Sequence, residues 1–151
     1  MNQSIFFVTL AYFLALTLTV NGMPQARQNG ATIEVTPVGN LVRTQHRVSG
    51  ELYIFNQTLL ILDNFTFDGL GAGVYINIAT KGNNRRQYIQ NREIVNYPSL
   101  EDNTPIERSY QKERLIISLP QGVQAKDIKW LSIWCEIFGV SFGEVTFPNE
   151  V

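Results

Sequence analysis

The sequence is poor in the residues that most often carry chemistry: it has one cysteine, Cys135, and one histidine, His46. A single thiol rules out an intramolecular disulfide, a CxxC redox pair and a cysteine-built metal site. A single imidazole rules out a histidine cluster, and a Ser-His-Asp triad would depend on His46 with no Gly-x-Ser-x-Gly elbow to supply its nucleophile. An excess of charge of either sign is also lacking. Lys and Arg total 12 against 13 Asp and Glu, so there is no field to attract nucleic acid or an anionic membrane. Asp63, Asn64 and Asp68 do not follow the spacing of a calcium loop. Gly69-Leu70-Gly71-Ala72-Gly73 lacks the lysine and helix of a phosphate loop and reads as a turn. No metal site is expected, and the chain is not expected to be an enzyme on its own.

Charged side chains are missing completely from residues 1–22. Ile5–Val20 is uniformly apolar or hydroxylic, without Pro or Gly. It is short of the roughly 20 residues a spanning helix needs, which also counts against an uncleaved signal anchor. It has the length of a signal-peptide core, followed by Val20, Asn21 and Gly22 as a cleavage site. The expected organisation is a signal peptide over 1–22, an extended arm over 23–45, one domain over 46–147 and a tail over 148–151. No later stretch is apolar enough to span, so a secreted, extracellular protein is expected. Two Asn-x-Thr triplets, at Asn56 and Asn64, agree with export and are candidate glycosylation sites.

What is present is β-forming pattern. Glu51–Phe55 and Thr58–Leu62 flank Asn56-Gln57 and predict a hairpin with a tight turn. In Asn64–Asp68, Phe65 and Phe67 share one face while Asn64, Thr66 and Asp68 share the other. Val74–Ile78, Arg114–Leu119, Ile128–Phe138 and Phe142–Phe147 complete the strands, and a short strand is expected in the arm at Thr32–Thr36. Residues 80–113 read as a long loop with a short strand or turn near Glu93–Tyr97, and its Lys81, Arg85, Arg86 and Arg92 as a solvated basic face. No apolar period of helical length appears after residue 22. The fold class predicted is all-β, a small sandwich or barrel-like domain of short antiparallel strands.

The candidate site residues lie on one of these strands. In Ile128–Ile137, alternation puts Cys135 with Leu131, Ile133 and Ile137, and Trp130, Ser132, Trp134 and Glu136 on the opposite face. Two readings of Cys135 stand side by side: a buried thiol packing as a small hydrophobe, or a redox thiol or cofactor ligand in an apolar pocket. Trp130 and Trp134 are either core or a platform for a ligand, and His46 is either polar surface or a contact residue.

Together these segments resemble the DM13 family of Skeletor- and Knickkopf-like animal proteins. The resemblance rests on His46-Arg47-Val48-Ser49-Gly50, Leu59–Gly69 and Val74-Tyr75 in the first half. In the second half it rests on Ile116–Pro120, Ile128–Cys135 and Phe138–Val145, in the family's order and spacing over about residues 46–147. It departs after the Val74-Tyr75 strand, where a basic, Asn-rich loop stands. The resemblance implies an extracellular β domain taking part in electron transfer at the cell surface or matrix. It also implies that Cys135 matches the family's characteristic cysteine, suggested as a naked thiol or a haem ligand. Such domains often lie beside a DOMON domain. None is present here, so a DOMON-type redox partner is expected on another extracellular or cell-surface protein. The alternative is a non-catalytic matrix or cell-surface binding module, using a β-face or the 80–113 loop.

Overall fold

The computed structural model describes residues 34–97 and 104–148. The expected signal peptide, the first part of the expected arm and most of the tail lie outside these residues. The described strands are β1 (Thr36–Asn40), β2 (Val42–Arg43), β3 (Ser49–Ile54), β4 (Leu59–Phe67) and β5 (Val74–Ala79). A six-residue helix α1 (Arg85–Gln90) and β6 (Arg92–Ile94) follow. The chain closes with β7 (Tyr110–Ser118), a 3-10 turn at Ala125–Asp127, β8 (Trp130–Cys135) and β9 (Val140–Thr146). Every pairing is antiparallel. One sheet has the order β1-β3-β4-β7 and the other β2-β9-β8-β5-β6. The fold is the expected all-β sandwich.

Alternation builds the core. Leu52, Leu60, Leu62, Leu115 and Ile117 of the first sheet face Ile76, Ile78, Leu131, Ile133 and Phe142 of the second in one buried cluster. Strand β4 changes phase midway: Leu60 and Leu62 are buried, then Phe65 and Phe67. The slip is a bulge at Asn64, which takes φ 51° and shifts the register against β7. Asn tolerates that left-handed conformation better than most residues, so one long strand forms where the sequence pattern shows two short ones.

Several elements differ from the sequence expectation. The second half of the expected arm is sheet: β1 pairs with β3, and after buried Leu41 the chain crosses to pair β2 with β9. Pro37 is tolerated because β1 is an edge strand. The Asn56-Gln57 turn is wider than expected, running over residues 55–58. Asn56 Oδ1 accepts N–H bonds from Thr58 at 2.8 Å and Leu59 at 2.9 Å, an Asx turn rather than the mirror-image turn that Asn-Gly favours. The 80–113 loop contains α1, β6 and the start of β7. Among the described residues no helix is long and apolar enough to cross a membrane.

Candidate functional site

Strand β8 lies inside the five-stranded sheet, hydrogen-bonded to β5 on one side and β9 on the other. All six of its residues are buried. Its inner face contributes Leu131, Ile133 and Cys135 to the main core, while its outer face holds Trp130 and Trp134 in a second cluster with Ala79. Half-buried Tyr88 and Ile89 of α1 pack on that second cluster and cover it. Alternation alone predicts this partition. It does not predict Ile137, expected beside Cys135, which is 65% exposed. The strand ends at Cys135, and residues 136–139 form the turn into β9, where Gly139 takes φ 63° and donates its N–H to the Cys135 carbonyl at 2.9 Å.

Cys135 is fully buried, and its Sγ–H donates to the carbonyl of Ala72 at 3.3 Å. Its sulfur is enclosed within the main apolar core and has no exposed face on which a macrocycle could seat, so the surroundings do not fit a haem ligated by Cys135. Three clefts among the described residues, one bordered by Phe55 and Gln124, one by Glu51 and Lys112 and one by Asp68 and Tyr110, also leave Cys135 out.

The outer face is a run of aromatic contacts. Trp134 and Trp130 meet edge to face with ring centroids 6.3 Å apart, and Tyr88 lies near-parallel to Trp130 at 6.4 Å. Arg92 of β6 sits over the Trp134 ring, Cζ 4.5 Å from its centroid, and pairs with Glu136 at 2.8 Å. Arg85 of α1 pairs with Glu144 of β9 at 2.7 Å. Two of the arginines expected on a solvated face thus pin the helical segment to the sheet. Beneath them, Asn77 of β5 is buried opposite Ser132, whose hydroxyl bonds that of Ser141 at 2.8 Å. Both amide atoms of Asn77, both indole N–H groups, Arg92 Nε and Glu144 Oε2 are buried without a protein partner among the described residues.

The candidate residues thus divide. Trp130 and Trp134 come together, and Cys135 follows on the opposite face. His46 packs elsewhere, its ring 4.1 Å from Phe142 and its Nδ1 3.4 Å from Asp68. Asn56 and Asn64 are exposed, as a glycan requires. Tyr88, Arg92, Asn77 and Glu144 join the site unforeseen. Their sequence signals are an aromatic at Tyr88 within a polar, basic loop, the basic run that includes Arg92, and an amide among the apolar residues of Val74–Ile78.

This is an antiparallel β-sandwich whose central strand sets a buried thiol on one face and an indole pair on the other. The family described as Electron transfer DM13 matches residues 40–147. The chain belongs to the DM13 family. Among curated proteins it is similar to Protein Skeletor, isoforms B/C, and Protein Skeletor, isoforms D/E, of Drosophila melanogaster. Each is 32% identical over 117 residues, 77% of this chain. The chain spans only 14% and 8% of those two proteins. No solved structure matches it.

Proposed function

We propose that this chain is a secreted DM13 domain that passes single electrons between protein partners at the cell surface or matrix, without catalysing a reaction of its own. The observation that carries the reading is the unbroken contact from half-buried Tyr88 through Trp130 to Trp134, in steps of 6.4 and 6.3 Å. Tyrosine and tryptophan are among the side chains readily oxidised by one electron, and transfer between rings falls off steeply with separation. In the step proposed, the indole of Trp130 gives one electron to a one-electron acceptor on a second protein. It regains one from a donor, and its N–H proton is retained throughout. A DOMON-type redox domain on another chain is the partner that the family resemblance suggests. Arg92, stacked on Trp134, disfavours a cationic ring there, so the oxidising equivalent rests on Trp130; the electron crosses the Tyr88 ring, which is not itself oxidised and keeps its phenolic proton. Cys135, an enclosed thiol, packs the inner face beneath the pair.

Export is supported by the uncharged run Ile5–Val20 and by the two Asn-x-Thr triplets. Flash oxidation with a photogenerated metal-complex oxidant tests the electron path. A transient indole radical is expected, formed more slowly in Tyr88→Phe and absent in Trp130→Phe. A radical of unchanged yield and rate in both variants overturns the path, and a Soret band lost in Cys135→Ser overturns the packing role of the thiol. An intact Met1 on an intracellular form overturns export.

A second reading, a binding module without redox chemistry, is favoured by exposed Leu70, Ile137 and Phe138. Loss of matrix retention on replacing them, with no radical in the flash experiment, selects it.

A further inference from the structure

At the end of the sandwich away from Cys135, the 55–58 turn opens onto a cleft of about 700 Å³, within the size range of small-ligand sites, roughly 300–1,000 Å³. Its walls are fixed: Ala125 N–H donates to the Gln57 carbonyl at 2.9 Å and Leu119 N–H to the Thr58 carbonyl at 2.9 Å. Val35 and Phe55 line it as apolar side chains left 37% exposed, beside the amide side chains of Gln57 and Gln124. Asn56 stands among the lining residues. Its Oδ1 is committed to the turn, accepting from Thr58 N–H, from the Thr58 hydroxyl at 3.2 Å and from Leu59 N–H. That commitment turns Nδ2, the atom that carries an N-linked sugar, away from the backbone.

We propose that the cleft is the seat of the first sugars of an N-glycan on Asn56. Attachment joins Asn56 Nδ2 to C1 of the sugar, displaces the lipid diphosphate carrying it and releases one amide proton. An N-acetylhexosamine presents a face of C–H groups that suits the Phe55 ring, and hydroxyl and acetamido groups that suit Gln57 and Gln124. The glycan thus covers two apolar side chains that the described residues leave exposed. Asn64 offers no such seat. It borders a polar cleft lined by Glu51, Thr66 and Lys112, where its own Nδ2 donates to Glu51 at 3.4 Å.

The inference rests on the extracellular reading. The full chain, secreted from a eukaryotic host, is compared with Asn56→Gln, Asn64→Gln and Phe55→Ser, before and after enzymatic removal of the glycans. Mass spectrometry of occupied sites and thermal melting are read together. Complete removal is expected to lower the melting temperature of wild type and Asn64→Gln by about 3 °C or more, and trimming to one sugar to preserve most of it. Asn56→Gln and Phe55→Ser are expected to show no glycan-dependent shift. A secreted protein with Asn56 bare overturns the inference. So does an occupied Asn56 whose removal leaves melting unchanged, or a Phe55→Ser effect equal with and without sugar, which means something else covers the cleft. A chain never exported instead overturns the extracellular reading.

Discussion

Cys135 is decided by its immediate surroundings. The sulfur is enclosed, donates to the Ala72 carbonyl and has no second thiol in the chain. Thiol reagents are therefore expected to label the native protein only as fast as it unfolds, and non-reducing electrophoresis of native material to show no disulfide-linked dimer. Fast labelling without denaturant would contradict this. Cys135→Ser keeps a donor for Ala72 but buries a more polar atom, and is expected to cost about 1 kcal/mol in urea unfolding. Asp68 has a sharper dependence on conditions. Burial pushes its carboxyl up, but N–H donors from Arg47 and Leu70, each at 3.0 Å, and the neighbouring His46 bring it below the ordinary 3.8. A depressed carboxyl contributes its full stabilisation above the unfolded-state value and loses it as pH falls through the lower folded one. Stability is therefore expected to be flat above about pH 5 and to decline below about pH 4. Asp68→Asn should make that decline shallower. A residual slope remains, because Arg114 holds Asp63 and Arg108 holds Glu113 below their ordinary values. Urea midpoints from pH 2.5 to 7 check the sign; an unaltered slope in Asp68→Asn refutes the assignment.

Helix α1 illustrates how far the sequence could be read. Strands β3, β5, β7, β8 and β9 were legible because short runs of branched and aromatic residues stand between turn signals, and the two faces of β8 follow from alternation alone. A six-residue helix is too short to display an apolar period, and too short to be stable by itself. It exists here because Asn84 caps it, accepting Gln87 N–H at 3.1 Å, and because Tyr88, Arg85 and Arg92 tie the segment to the sheet. Those contacts come from β8, β9 and the 136–139 turn, far along the chain. The same holds for β1 and β2, where Pro37 and Gly39 suggest coil and edge pairing prevails. The site was legible to the same extent. The indole pair could be seen, but its cover could not. Asn84→Ala is expected to cost about 1 kcal/mol. Tyr88→Ala should do more locally, shifting tryptophan emission to the red and admitting quencher to Trp130, because a half-buried ring is the lid over a fully buried one. Unchanged emission in Tyr88→Ala would mean that α1 does not cover the pair.

At the scale of the whole sandwich, nine-residue β4 separates two unlike ends. The Asn56 turn and the 3-10 turn form one, suited to carbohydrate. The loop 68–73 and the turn 136–139 form the other, where a Cβ on Gly73 would lie 3.3 Å from Ile137. That end exposes Leu70 at 59%, Ile137 at 65% and Phe138 at 70%, in the two loops that Ala72 and Cys135 join through their hydrogen bond. Scattered exposed apolar residues need no explanation, but two adjacent ones beside a tight loop contact form a patch. Because little of their area is buried, Ile137→Ser with Phe138→Ser is expected to change unfolding free energy by no more than about 0.5 kcal/mol. Retention on a hydrophobic column should fall clearly. A large loss of stability would mean that the turn closes the core over Cys135; unchanged retention would mean that the patch is not the molecule's adhesive end. With stability held and retention lost, the double variant isolates partner contact from electron passage, since it leaves Tyr88, Trp130 and Trp134 untouched on the outer face.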